Sequence, residues 1–295
     1  MRVAVIGAGT MGGGIAQVAA MAGHGVRLFD TDPARAGAAR TAMRGSLEKL
    51  HGKGRLGDDL PDDVLDRVAP AGSIAAACDA ADVVIETVVE LIEVKQEVFR
   101  QIAEAAPAGA LLGTNTSQLS ITRIGSVLGD GADRLVGMHF FNPPVLMRLV
   151  ELVAGLGTSE ETIARAEAFA RGLGKETVVC RKDSPGFMTS RVSAIVRLEC
   201  LKMVEEGVGS PTDIDKALRL GLNFPMGPLE LGDFNGLDTY LHALEALEVA
   251  HGERFRPTVT LRNLVAAGRL GRKTGRGVYR YGPDGSKLDD GTPAG

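Results

Sequence analysis

The segment GAGTMG, residues 7–12, constrains the fold more than any other part of this chain. It follows a short apolar run, Arg2 to Ile6, and opens a stretch of helical length. In this context GxGxxG is typical of a strand–turn–helix unit: the first glycine permits the tight turn, the second lets the backbone approach a diphosphate, and the third lets helix and strand pack closely. Phosphates then lie at the helix N-terminus. The candidate cofactor contacts in this segment are Gly7, Gly9, Thr10, Met11 and Gly12.

Asp30 supplies the second half of this signal. It ends the next apolar run, Val26 to Phe29, at about the distance that a dinucleotide site requires. Its carboxylate can accept hydrogen bonds from both hydroxyls of an adenosine ribose and would repel a 2′-phosphate. The pair therefore predicts NAD rather than NADP as the cofactor. A glycine-rich turn in an ordinary α/β protein remains the alternative interpretation.

The remainder of the first half alternates short apolar runs with helical stretches. Strands separated by crossover helices indicate a parallel sheet covered on both faces. After residue 184 the pattern becomes helical, with Gly and Pro between the segments. The predicted fold class is α/β: a Rossmann-like, doubly wound, mostly parallel sheet in domain 1–184, followed by an all-helical domain in 185–295. The helices predicted in the second domain span residues 188–206, 212–220, 229–249 and 258–266.

Charge and cysteine content limit the partners and the compartment. The net charge is −4, from 33 basic and 37 acidic residues, so no global field attracts nucleic acid or a membrane surface. Cys78, Cys180 and Cys200 are far apart and form no CxxC pair, which predicts reduced thiols and no metal site. We expect a soluble cytoplasmic protein, because the uncharged stretch from Val3 to Val26 is interrupted by glycine clusters unsuited to a membrane span.

His139 is the candidate general base. It ends a predicted strand, on the side of a parallel sheet where ligands bind, and Pro143-Pro144 can reverse the chain so that Glu151 returns beside it. A carboxylate on one ring nitrogen would fix the tautomer and stabilise the imidazolium, which leaves the other nitrogen to take a proton from an alcohol. A histidine at a strand end can also be purely structural.

Two further segments are candidate ligand contacts. Asn115 to Ser117 follows another strand and offers amide and hydroxyl groups at the same edge, although a turn or a helix N-cap would use the same residue types. Arg40 to Arg55 holds six basic or histidine side chains and the single acid Glu48, which suits an anionic ligand such as the phosphates of a CoA ester. A solvated helix face is the alternative for this run.

Taken in order, the motifs resemble the 3-hydroxyacyl-CoA dehydrogenase family in its short, stand-alone form. The resemblance covers nearly the whole chain and rests on GAGTMGGGIAQ from residue 7, ADVVIETVVE from 81, TNTSQL from 114, HFFNPP from 139, DSPGF from 183, PMGPLEL from 225 and GRKTGRG from 271. It implies an NAD-dependent dehydrogenase of short-chain 3-hydroxyacyl-CoA esters, similar to bacterial 3-hydroxybutyryl-CoA dehydrogenases, in which the helical domain closes over the substrate and forms a homodimer.

The resemblance also implies roles for single residues. His139 is then the catalytic base with Glu151 as its partner, while Ser117 and Asn142 position the substrate and the nicotinamide. The implied cofactor contacts are Glu90, Lys95, Asn115 and Lys273, and the implied CoA contacts are Ser46 and Lys53. Where the family often has Asn just before an Arg, this chain has Ser190, a shorter side chain with one donor rather than two.

Two other functions remain open at this stage. A dehydrogenase of the same architecture can act on a free hydroxy acid, as gulonate dehydrogenases do, and a non-catalytic protein can use the fold to bind a nucleotide. The presence of His139, Glu151, Ser117 and Asn142 together argues against the second alternative.

Overall fold

The computed structural model describes residues 1–288, which divide into two compact units, Met1–Ser184 and the part of the chain that begins at Pro185. The first unit is built on one eight-stranded sheet in the order β3-β2-β1-β4-β5-β6-β7-β8. Its strands are β1 Arg2–Ile6, β2 Gly25–Phe29, β3 Val68–Pro70, β4 Val83–Glu86, β5 Leu111–Thr114, β6 Leu135–Phe140, β7 Leu149–Val153 and β8 Glu176–Cys180.

The strand order places a topological switch between β1 and β4. The chain proceeds from β1 to one side through β2 and β3, and from β4 to the other side through β5 and β6, with all these pairs parallel. Only β7 runs antiparallel to its neighbour β6, and β8 is parallel to β7. Ligands of open α/β sheets bind at such a switch, beyond the carboxyl ends of the strands. Phe29, Ile6, Glu86 and Thr114 are in register at that edge.

Helices connect these strands and cover the sheet. They are α1 Thr10–Met21, α2 Pro33–His51, α3 Pro61–Asp66, α4 Ile74–Cys78, α5 Ile92–Ala105, α6 Ile121–Gly125 and α7 Glu160–Gly172. The apolar core lies between the sheet and the helices α1, α2 and α7. Strands β1 and β4 are almost wholly buried, as expected for the near-continuous apolar strands of a parallel sheet. The predicted fold class is confirmed.

In its described residues the second unit is helical, and extended chain occurs there only as isolated bridges. Its helices are α8 Thr189–Glu205, α9 Pro211–Gly221, α10 Pro228–Asn235, α11 Leu237–His251 and α12 Val259–Ala266. The single helix predicted over 229–249 is wrong, because Gly236 separates α10 from α11 with φ +98. That conformation is accessible to glycine and ends a helix.

Four strands or α-helices of three to six residues are absent from the sequence-based prediction. These are β3, α3, α4 and α6, which are too short to show a periodicity. Within residues 1–288 no helix combines the length and apolar character needed to cross a bilayer.

Candidate functional site

The glycine turn after β1 is packed so closely that two of its glycines have no room for a side chain. An added Cβ at Gly12 would lie 1.8 Å from the carbonyl oxygen of Gly7 and 2.5 Å from Thr87 Oγ1. Gly7 has φ +107, and its N–H donates to Phe29 O. Around Gly9, in contrast, a Cβ would meet nothing within 4 Å. The turn therefore presents an open backbone surface at the N-terminus of α1, which fits a dinucleotide diphosphate.

Asp30 lies directly after β2, beside this turn. One of its carboxylate oxygens accepts from the Ala8 N–H at 2.8 Å and the other accepts from the Asp32 N–H at 3.0 Å. The carboxylate that was predicted to select the ribose thus also fixes the glycine turn. Thr87 holds the turn from the β4 side, since its hydroxyl donates to Gly7 O at 2.9 Å. Sequence reasoning missed Thr87, which no motif rule singles out.

His139 and Glu151 face each other across the β6–β7 ladder. The antiparallel register pairs them directly, and His139 Nδ1 lies 3.0 Å from Glu151 Oε2. The histidine is 7% exposed and the glutamate is wholly buried. Because a carboxylate only accepts, this contact places the ring proton on Nδ1. The ring of Phe141 packs against the imidazole at a centroid distance of 4.4 Å.

Asn115 ties two strand ends together beside this pair. Its side-chain oxygen accepts from the Phe140 N–H at 2.8 Å, which joins the end of β5 to the residue after His139. Asn142 and Ser117 are exposed at the same edge of the sheet. The structure therefore brings His139, Asn115, Ser117 and Asn142 to one edge, as the sequence predicts.

A buried charged network lies beneath the Ser117 loop. Lys95 and Glu86 are both wholly buried, and their Nζ and Oε1 atoms are 2.7 Å apart. The ammonium lies 3.5 Å from Glu90 Oε2, and Glu90 Oε1 accepts from the Thr116 hydroxyl and from the Ser117 N–H. The Lys95 ammonium is therefore not itself exposed at the sheet edge. It contacts Glu90, and Glu90 is the partly exposed member of the network.

Glu86 is a residue of this network that the motif analysis did not single out. It accepts from the Thr114 hydroxyl at 2.6 Å and from the Val88 N–H at 2.6 Å, in addition to Lys95. A carboxylate in a buried strand was its only sequence signal. Asp183 has a comparable part in fixing the loop, because its Oδ2 accepts from the Ser120 hydroxyl and the Thr122 N–H at 2.6 and 2.7 Å.

The basic run on α2 is partly neutralised by α3. Arg44 pairs with Asp62 at 2.7 Å, and Arg40 lies 3.6 Å from Asp66. His51, Lys53 and Arg55 are exposed at the end of α2 and in the turn after it. The basic surface therefore lies on the last turn of α2, where Lys49 is also exposed, and in the turn after it, which contains Lys53.

Ser46 is also on α2, but it faces α1, the helix that follows the glycine turn. Its hydroxyl accepts from Gln17 Nε2 at 3.0 Å, and Gln17 is itself buried. In the second unit, Lys273 donates to both carboxylate oxygens of Asp238 at 2.7 Å, and Ser190 lies in the first turn of α8. No group of three His, Cys, Asp or Glu side chains within residues 1–288 is placed to hold a metal ion.

Comparison with known families gives a consistent result for both units. A sequence profile described as the NAD-binding domain of 3-hydroxyacyl-CoA dehydrogenase matches residues 2–184, and one described as the C-terminal domain of the same enzyme matches residues 186–281.

Similar proteins cover the chain almost completely. A probable 3-hydroxybutyryl-CoA dehydrogenase of Deinococcus radiodurans is 42% identical over 282 residues, which are 95% of this chain and 100% of that one. One of Bacillus subtilis is 42% identical over 281 residues, 95% of this chain and 97% of that one. The crystal structure of (S)-3-hydroxybutyryl-CoA dehydrogenase from Ralstonia eutropha superimposes with a TM-score of 0.90, at 40% identity, and covers 95% of this chain and 99% of its own.

Proposed function

Because the chain belongs to the 3-hydroxyacyl-CoA dehydrogenase family and its first unit is the family's NAD-binding domain, we propose that it interconverts short-chain (S)-3-hydroxyacyl-CoA and 3-oxoacyl-CoA. The observation that carries the proposal is the buried His139–Glu151 pair at 3.0 Å, on the same sheet edge as an open dinucleotide turn. Relatives named 3-hydroxybutyryl-CoA dehydrogenase support a four-carbon acyl group.

The proton chemistry is assigned to His139. In the oxidation direction its Nε2 takes the proton of the 3-hydroxyl, and in the reverse direction it returns a proton to the 3-oxo oxygen. Glu151 fixes the orientation of the ring, because the Nδ1–H donates to its charged oxygen in a buried site where such a hydrogen bond is strong. General acid–base catalysis of this kind contributes about 10²- to 10⁴-fold to the rate.

NAD, when bound, supplies the hydride acceptor for C3 of the substrate. The residues that would hold it are the open backbone at Gly9, the Asp30 carboxylate and the Glu90 carboxylate supported by Lys95. These sites fit the cofactor because the turn has backbone room at Gly9 alone among its three motif glycines. Ser117 and Asn142 are exposed where they can contact the reacting end of the substrate.

The CoA group is assigned to the turn after α2. Lys53 is exposed there beside His51 and Arg55, while Arg40 and Arg44 are engaged by acids of α3. Phosphates of a CoA ester are the anionic groups that this surface suits, and Ser46 lies on the same helix. The second unit is assigned to substrate binding and dimerisation, and Ser190 and Lys273 remain predicted contacts from the family resemblance.

An NADH-consumption assay tests the function. With acetoacetyl-CoA we expect turnover with NADH and little with NADPH, and acetoacetate at the same concentration should give no comparable rate. His139→Gln should lose about 10²- to 10⁴-fold in kcat, with the Kd of NADH within about twofold of wild type, because the residues assigned to NADH binding are unchanged. His242→Gln, on the exposed face of α11, is the matched control and should keep full activity.

The same assay separates the alternatives. Equal rates with acetoacetate and its CoA ester would indicate a dehydrogenase of free acids. Absence of NADH turnover on any 3-oxo substrate, with NADH still bound, would indicate a nucleotide-binding protein without catalysis.

A further inference from the structure

Lys175 is a buried lysine that the proposed chemistry does not use. Its side chain belongs to a residue that is 8% exposed, and its ammonium donates to the carbonyl oxygens of Pro144 at 2.6 Å and Met147 at 2.8 Å. Burial lowers the pKa of this ammonium. Burying a cation costs free energy, even where two main-chain carbonyls accept its hydrogen bonds. The next question is what the ammonium does for those two carbonyls.

The two carbonyls belong to the loop that joins β6 to β7, residues 141–148. This loop carries Asn142, and the strands that it connects carry His139 and Glu151 in direct register. The N–H groups of Leu146 and Met147 both donate to Pro143 O at 3.0 Å, so the loop is a compact turn. Lys175 therefore binds the one turn that sets how the β6–β7 pair closes beside the catalytic histidine.

The opposite side of the same loop packs against α1, the helix that follows the glycine turn. Pro144 is buried, and a Cβ added at Gly14 of α1 would lie 2.8 Å from Pro144 Cδ. Glycine at this position lets the proline ring contact the helix backbone. The loop is thus held between α1 on one side and the Lys175 ammonium on the other.

Backbone hydrogen bonds hold Lys175 and the residue that follows it in place. The preceding Gly174, at φ +73, turns the chain out of α7, and the Lys175 N–H donates to Ala170 O at 3.1 Å. The next residue, Glu176, begins β8 and donates its N–H to Arg148 O at 2.8 Å. The lysine therefore projects from the start of a strand that is already paired to the end of the loop.

We propose that Lys175 is a positioning residue of the dehydrogenase: its ammonium fixes the 141–148 loop, and with it Asn142 and the His139–Glu151 pair, in the geometry for hydride and proton transfer. The inference rests on the proposed function and adds to it a residue that touches neither substrate nor cofactor. An apolar side chain of similar length fills the space of the lysine but binds neither carbonyl, so the loop keeps its contact with α1 at Pro144 and its backbone hydrogen bond at Arg148 but loses both hydrogen bonds to the ammonium.

Lys175→Met tests this role. We expect the single-turnover rate of NADH oxidation by acetoacetyl-CoA to fall about tenfold or more, because small displacements of reacting groups cost large factors in rate. The Kd of NADH and the KM of acetoacetyl-CoA should stay within about twofold, since the glycine turn and the basic turn after α2 are untouched. Lys216→Met, on the exposed face of α9, is the matched control and should behave as wild type.

Two results overturn the inference: a wild-type single-turnover rate in Lys175→Met, or a loss of rate matched by an equal loss of NADH-binding capacity, which would indicate a role in stability alone. If Lys175→Met does not fold, Gly14→Ala decides, because its methyl group pushes Pro144 from the other side without removing a charge. It should show the same kinetic signature, and an unchanged rate contradicts the inference. Failure of the wild-type enzyme to use acetoacetyl-CoA would overturn the proposed function instead.

Discussion

Glu151 is a buried carboxylate, and the contribution of its charge to kcat can be measured separately from that of its shape. Glu151→Gln keeps the size and one acceptor but removes the charge that faces His139 Nδ1. A hydrogen bond to a charged group contributes about 1.5–3 kcal/mol, so we expect kcat to fall by about 10- to 100-fold with little change in NADH affinity. Glu104→Gln, on the exposed face of α5, is the control. An unchanged kcat in steady-state assays would contradict the assignment of Glu151.

Asp233 in α10 is a second buried carboxylate with an unusual environment. It accepts from the N–H groups of Val278 and Tyr279 and from the Tyr281 hydroxyl, yet burial raises its pKa from 3.8 to about 6, with a further contribution from the nearby Asp215. The folded protein therefore holds this proton more tightly than the unfolded chain does.

The sign of the pH dependence follows from that difference. Below about pH 4 the stabilising effect of the bound proton is complete, and it is lost as the pH rises through about 6. The rise in the Asp233 pKa from 3.8 to about 6 corresponds to about 3 kcal/mol in the free energy of unfolding. We expect the Asp233 carboxyl carbon to titrate near pH 6 by NMR, and Asp233→Asn to lack this part of the pH dependence. A midpoint near pH 4 would contradict the prediction.

At the level of the strand–turn–helix element, the motif glycines have two different reasons to be glycine. A Cβ at Gly12 collides with the Gly7 carbonyl, whereas a Cβ at Gly9 meets nothing in the protein. Gly12→Ala should therefore lower the melting temperature and abolish NADH binding together. Gly9→Ala should leave the melting temperature unchanged and weaken NADH binding at least tenfold, because only the cofactor approaches that backbone.

Differential scanning fluorimetry and NADH fluorescence titration measure the two effects on the same samples. A stable Gly12→Ala variant that binds NADH normally would show that the turn tolerates a shifted backbone. Unchanged NADH affinity in Gly9→Ala would show that the open space at Gly9 is not the diphosphate position.

Element boundaries also show which sequence signals are sufficient. Helices such as α8, α9 and α12 were predicted to within a few residues, because their length and apolar spacing are local properties. The short β3 contains Pro70 and pairs only with β2, so nothing in its three residues distinguishes it from a loop. Gly236 in the predicted helix 229–249 acts as a break only because the chain there takes φ +98.

For the whole molecule, the family resemblance predicts a homodimer. The helical unit exposes apolar side chains near the end of α9, with Leu220 and Leu222 at 75% and 65% exposure. We expect sedimentation velocity to give twice the chain mass at micromolar concentration. Charge substitutions at these two leucines should shift the population toward monomer if α9 belongs to the interface. Monomer throughout that range for the wild-type protein would contradict the prediction.

Residue order specifies the succession of local units: a strand ending in GAGTMG, an acid after the second strand, His139 at a strand end and a proline turn leading to Glu151. These follow from residue order, because turn geometry, strand alternation and the edge at which parallel strands end are local rules. The His139–Glu151 contact was predictable for the same reason, since a single reversal of the chain brings the two residues opposite each other.

The packing of the folded chain, in contrast, sets which charges are neutralised and which are available. Arg44 meets Asp62, Lys95 is enclosed with Glu86, and Lys175 reaches the carbonyls of a turn 28 to 31 residues away. Each contact joins elements whose distance is set by packing of helices on the sheet. Residue order does not encode that distance. It is seen only in the folded chain, where the burial of each group and its hydrogen-bond distances can be measured.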